Sequence, residues 1–129
     1  MSRAVLDTSI FIAREQGRPF ERELPDEVAI SVVSLAELEL GVLVAPDPQS
    51  RSRRLRTLSS VRSLAAALSL DERTASAYAQ LASEVLAAGH RPRVNDTWIA
   101  ATALANGAEV WTQDADFSEF TETVDVIRV

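Results

Sequence analysis

Short apolar runs alternate with longer amphipathic stretches along the whole chain. The run AVL at 4–6 reads as a brief strand, and Ile10, Phe11, Ile12 and Ala13 begin a helix that Thr8 or Ser9 is placed to cap. Gly17 and Pro19 break that helix. The run VAISV at 28–32 is rich in β-branched residues and reads as a buried strand. Ser34 is expected to cap a helix reaching about Val44, with Glu37 three residues on in the capping-box position, until Pro46 and Pro48 stop it. Over 49–62, Leu55, Leu58 and Val61 recur every third position among Arg51, Arg53, Arg54 and Arg56, the pattern of a surface helix.

Residues 63–70 read equally well as a helix end or a short strand. Asp71 then caps an alanine-rich helix running to Ala88 and closed by Gly89. After Pro92, Asn95 or Asp96 opens another helix over 97–105, ended by Asn106-Gly107. A strand over 109–112, a turn over 114–117 and a last strand over 124–129 complete the chain. Strands separated by helices of ten or more residues need crossover connections. The expected fold class is therefore α/β: a three-layer arrangement with a short, mainly parallel central sheet flanked by helices. A chain of 129 residues suffices for one such domain over 1–129, with no internal repeat or low-complexity segment.

Composition narrows the chemistry. With no cysteine, disulfides and thiolate metal sites are excluded. The start Met1-Ser2-Arg3 meets Asp7 too soon for a secretory signal, and no apolar run approaches the ~20 residues of a membrane span, so a soluble cytoplasmic protein is expected. All thirteen basic residues are arginine, against nineteen Asp and Glu, for a formal net charge of −6. An acidic total argues against a nucleic-acid partner, unless bound cations offset the field where a phosphate approaches.

Four acidic positions stand out. Asp7 and Asp114 each follow an apolar strand and so emerge at the carboxyl edge of a parallel sheet, the usual ligand side. Asp96 begins the helix that leads into the second of those strands. Glu37 lies on a helix that is apolar nearly all round, whereas Glu39 points nearly opposite, towards solvent. Gly41, four residues after Glu37, suggests close packing or access beside that carboxylate. Gathered together, four carboxylates repel one another by several kcal/mol unless cations neutralise them. Hard divalent ions such as Mg²⁺ or Mn²⁺ prefer such oxygen donors. The plainer readings are that Asp7 and Asp96 only cap helices and that Glu37 only answers Ser34. Asp116 reads as a further ligand or as a turn residue. Thr8, Ser9 and Thr112 have hydroxyls placed to orient carboxylates or water, or are ordinary turn residues. Trp98 and Trp111, inside apolar runs, read as core in preference to base-stacking platforms.

The pieces VLDTSIFIA, ISVVSLAELELGV with its Glu-Leu-x-x-Gly core, and NDTWIAATALANGAEVWTQDADF follow one another in order along the chain. Together with the short final strand they resemble the PIN-domain nucleases, and most closely the VapC toxins of bacterial toxin–antitoxin modules. The resemblance places Asp7, Glu37, Asp96 and Asp114 on the family's acidic positions and Asp116 on a frequent fifth. Residues 49–66 carry no matching motif. It implies an endoribonuclease using Mg²⁺ or Mn²⁺, one or two per active site, on an RNA substrate such as tRNA or ribosomal RNA. It also implies a homodimer, or a hetero-oligomer with a VapB-like antitoxin that inserts a segment, often carrying an arginine, into the acidic cleft.

Residue types independently restrict the mechanism. His90 is the only histidine, so acid–base cleavage by a histidine pair is implausible, and there is no lysine to act as base or clamp. Metal-assisted hydrolysis remains, with Asp7, Asp96 and Asp114 as principal ligands and Glu37 acting directly or through water. Arginines must then meet the RNA backbone. Arg91 and Arg93, in the loop leading to Asp96, are the first choice, Arg14 is a further one, and the 51–56 run is either a second contact or a solvated face. Two other classes stay open: an inert PIN-like interaction domain, and a Mg²⁺-binding receiver-like module. The latter fits less well because its paired aspartates and its lysine are missing.

Overall fold

The apolar runs become five short strands among the described residues, which are 3–129: β1 (Arg3–Leu6), β2 (Val28–Ser31), β3 (Ala66–Leu68), β4 (Ala108–Thr112) and β5 (Val126–Arg128). Met1 and Ser2, the first part of the charged start, lie outside them. In this computed structural model all neighbouring strands pair in parallel, in the order β3-β2-β1-β4-β5. Val5 aligns with Val110 and Leu6 with Trp111 across the central pair. The chain steps outward from β1 to β2 and β3, then returns to the other side of β1 for β4. The strand order therefore reverses between β1 and β4, and a crevice opens outside their carboxyl ends.

The helices are α1 (Thr8–Glu15), α2 (Val32–Leu43), α3 (Pro48–Leu64), α4 (Glu72–Ala87) and α5 (Val94–Ala105), with a 3-10 helix over Ala115–Phe120. Because successive strand residues point to opposite faces, Val5 and Val110 pack with Leu81 and Val85 of α4 and Ile99 of α5. Ala4, Leu6 and Trp111 pack on the other face with Ile10 and Phe11 of α1, Leu38 of α2, and Leu58 and Val61 of α3. Three layers result, as the alternation of elements predicts. No helix among the described residues is long and apolar enough to cross a membrane.

Several boundaries differ from the sequence reading, each for a local reason. Asp7 itself, extended at φ −70° and ψ 154°, caps α1 by accepting from Ser9 N at 3.4 Å, so neither Thr8 nor Ser9 is the cap. α2 begins three residues early, capped by Ser31 instead of Ser34, because Ser31 is the last extended residue of β2. Asp47 caps α3, with Pro48 in its first turn. α5 starts at Val94 after Arg93, which makes no side-chain cap, so Asp96 sits inside the first turn. Residues 66–68 are an edge strand, and β5 is shorter than expected. Asp71 does cap α4, accepting from Thr74 N at 2.9 Å.

Candidate active site

Asp7 ends β1 at the switch point and is only 4% exposed. A buried carboxylate needs donors, and besides Ser9 N one comes from β4: Thr112 Oγ1 donates to Asp7 Oδ2 at 2.9 Å. Thr112 also accepts from Asp114 N at 2.9 Å and lies 3.2 Å from Ser9 Oγ, which accepts from Gln113 N at 3.0 Å. With its one proton committed to Asp7, Thr112 receives its bond to Ser9 from the Ser9 hydroxyl. This chain of hydroxyls fixes Asp7 and Asp114 relative to each other. Asp114 also caps the 3-10 helix by accepting from Asp116 N at 2.8 Å.

Glu37 reaches the same edge from α2. Thr8 Oγ1 donates to its Oε1 at 2.7 Å and is 2.9 Å from the fully buried Ser34 Oγ. Thr8 has a single hydroxyl proton, so giving it to the Glu37 carboxylate leaves Ser34 to supply the other bond. Glu37 is therefore held by α1 and is not the reciprocal capping partner of Ser34. Ser34 is the site residue that the sequence reading missed. Its signal was available, since it lies one helical turn before Glu37 on the same side of α2.

Asp96 completes the set from α5. Burial is the first cause that raises its pKa, from 3.8 to about 6; Arg93 opposes the rise, and the charges of Asp7, Asp114 and Glu37 add to it. The four carboxylates thus act on one another across the mouth of the crevice. Asp96 is not the N-cap of α5; it stands in the first turn, where a carboxylate also complements the helix dipole. Asp116 lies at the rim, its side chain 63% exposed.

Arg93 is turned onto these carboxylates. Its guanidinium lies 3.0 Å from Asp96 Oδ2 and 3.9 Å from Asp114 Oδ2, and it is hydrogen-bonded to Asp116 Oδ2. Its buried Nη2 makes the close approach to Asp96 without hydrogen-bond geometry, so it remains without a hydrogen-bond partner. Arg91 stays exposed in the loop before it. Trp98 stacks on Tyr78 with ring centroids 4.2 Å apart, and Trp111 is buried in the cluster that includes Ile10 and Phe11 of α1, so both tryptophans belong to the core.

A groove of about 450 Å³ opens beside Glu37, between Thr8 and Ile12 on one side and Leu40, Gly41 and Asn95 on the other. A Cβ on Gly41 would meet only Arg54 Cδ at 3.9 Å, so this glycine borders open space instead of a tight contact. In donor chemistry the carboxylates suit a hard divalent cation: all are oxygen donors, and among the described residues Arg93 is the one cation paired with them. Among the described residues no three acidic or histidine side chains are drawn tightly enough to hold one ion as they stand.

Comparison with known proteins follows the same lines. The PIN domain family model matches residues 4–122. The chain is 45% identical over 128 residues to Ribonuclease VapC5 of Mycobacterium tuberculosis, covering 97% of this chain and 94% of that one. To Ribonuclease VapC4 of the same organism it is 42% identical, covering 98% and 97%. Its fold is similar to a chain in the crystal structure of VapBC-5 from Mycobacterium tuberculosis, a member of the VapBC family of toxin–antitoxin systems. That match has a TM-score of 0.89 and 41% identity and covers 100% of both chains.

Proposed function

The chain belongs to the PIN-domain family and, within it, to the VapC-type ribonucleases, and from that premise we propose that it is a metal-dependent endoribonuclease. In this reading it is the toxin of a toxin–antitoxin pair and hydrolyses phosphodiester bonds of structured RNA such as tRNA or ribosomal RNA in the cytoplasm. The observation that carries the reading is the convergence on Asp96 of the charges of Asp7, Asp114 and Glu37, at the point where the strand order reverses. A fold does not gather like charges at a ligand crevice without a use for them.

Asp7, Asp96 and Asp114 would hold Mg²⁺ or Mn²⁺, with Glu37 acting directly or through water and Asp116 at the rim. One or two such cations, when bound, supply the Lewis acidity that makes water nucleophilic and relieves charge on the phosphate and the leaving oxygen. The protein's part is placement. Thr112 and Ser9 fix the direction of Asp7, and Thr8 with Ser34 fixes Glu37 and leaves its Oε2 for a cation or a water. His90, a lone exposed histidine, offers no histidine acid–base pair, and this reading takes water as the attacking group. Arg91 and Arg93 lie where a backbone phosphate would enter, Arg93 once released from the carboxylates.

The VapBC likeness supports a small antitoxin partner, and the exposed apolar residues Ile12, Leu40 and Val44 along the groove offer it surface beside the acidic centre. Homodimerisation belongs to the same reading. The deciding test incubates the purified protein and Asp7→Asn with end-labelled RNA in Mg²⁺, Mn²⁺ or EDTA. Wild type should cut only with metal, leaving no 2′,3′-cyclic phosphate, and Asp7→Asn should not cut. Cleavage that survives in Asp7→Asn sinks the assignment.

A further inference from the structure

α3 concentrates positive charge in an otherwise acidic chain. Its seventeen residues include Arg51, Arg53, Arg54, Arg56 and Arg62 and no Asp or Glu, while the chain as a whole carries −6. Two of these arginines tie α3 to α2, and Arg53 Nη2 donates to Ser50 Oγ at 3.3 Å within α3. Arg54 Nη1 donates to Gly41 O at 2.7 Å, fastening α3 to α2, and Arg62 pairs with Glu39 at 3.5 Å.

Arg53 and Arg56 are placed differently. Together with Arg14 of α1 they line a groove of about 280 Å³ between the two helices, over a floor that includes the buried Phe11 and Val61. The described residues offer no ion pair to any of the three. The one carboxylate in the groove, Glu15, accepts from Thr57 Oγ1 at 2.8 Å, a bond that ties α1 to α3. A merely solvated helix face would spread its charges outward from one element. Here guanidinium groups from two elements share one concave surface.

That surface continues into the active site. Glu15 lines both this groove and the one that contains Thr8 and Glu37. From Thr8 to Arg14 is about 9 Å along the helix axis at 1.5 Å per residue, a distance that a strand crossing the carboxylates covers with its next phosphates. An enzyme of net negative charge needs a fixed positive anchor for a polyanion, and arginine is suited to phosphate through its planar fork of donors.

We propose that the α1/α3 groove is a second RNA-binding site, in which Arg14, Arg53 and Arg56 hold backbone phosphate of the strand flanking the scissile bond. It rests on the nuclease reading and assigns that reading a substrate long enough to span both grooves. The contacts are to phosphate, so the site adds affinity and register without reading bases.

The test measures RNA binding in EDTA by fluorescence anisotropy across a salt series, using a labelled single-stranded RNA of about twenty nucleotides. Arg53→Gln/Arg56→Gln is compared with Arg51→Gln/Arg62→Gln, which removes the same charge from the same helix outside the groove. Each single-strand phosphate contact contributes about 0.7 to the slope of log affinity against log salt, so the groove pair should lower that slope by about 1.4. Its affinity should fall at least tenfold at low salt, with the control pair near wild type. Equal losses in the two pairs mean a diffuse field and overturn the proposal. So does unchanged RNA affinity, including the case in which the groove pair loses only an acidic peptide, which would make the groove a protein-docking face. Because binding is read without metal, loss of affinity in a protein that never cleaves would refute the nuclease reading alone, whereas cleavage with no groove effect would refute the groove alone.

Discussion

Thr112 Oγ1 donates to Asp7 Oδ2 at 2.9 Å across 105 positions of sequence, and the same hydroxyl accepts the backbone N–H of Asp114. One side chain thus sets the spacing of two carboxylates at the ends of adjacent strands. Thr112→Val keeps the shape but strands an acceptor and a donor in a buried place. The expected outcome is a loss of about 1–3 kcal/mol in stability and a fall in Mn²⁺ affinity of about 10–100-fold, with Thr112→Ser close to wild type. Urea unfolding and calorimetry check the two effects, and metal affinity unchanged in Thr112→Val would remove Thr112 from its positioning role.

Asp96 makes metal-free stability depend on pH. Its native pKa of about 6 lies above the ordinary 3.8, chiefly through burial, so the folded chain holds this proton more tightly than the unfolded one. The stabilising contribution is complete below about pH 4, is lost as pH rises through about 6, and stays lost above that. Asp96→Asn cannot ionise. In EDTA at neutral pH it should therefore melt above wild type, and the difference should vanish near pH 4. Added Mn²⁺ should raise the melting temperature of wild type but not of Asp96→Asn. A variant that melts below wild type at neutral pH contradicts the account.

Arg93 and a cation compete for the same oxygens of Asp96 and Asp114. Arg93→Gln should consequently bind Mn²⁺ several-fold more tightly by calorimetry while its metal-free form melts lower, because the carboxylates lose the counter-charge of Arg93. Weaker metal binding would show that Arg93 supports the site instead of contesting it.

Gly41 provides a control on packing. Its backbone is helical, and a Cβ would meet nothing nearer than Arg54 Cδ at 3.9 Å. Gly41→Ala should stabilise the fold by about 0.5–1 kcal/mol in urea unfolding. Destabilisation would mean that the groove beside Glu37 closes more tightly than the structure indicates.

The sequence alone determined the succession of strands and helices, the parallel sheet, and the placing of Asp7 and Asp114 at strand ends, because strand and helix patterning is written within a few consecutive residues. The relation of 5–13, 30–42 and 95–117 to PIN nucleases was legible for the same reason. Even locally it left the cap of α1 open between Asp7, Thr8 and Ser9 and misassigned that of α2: Asp7 and Ser31 take them because each is the last extended residue before its helix, a property of backbone angles that composition does not reveal. Tertiary structure alone decided the rest. The return of β4 to the far side of β1 creates the crevice. Ser34 enters the site through Thr8, 26 positions away, and Arg93 turns from the expected RNA path onto Asp96, Asp114 and Asp116. The direction of a long side chain and the neighbours of a strand follow from burial and charge summed over distant segments, and no local window of sequence contains that sum.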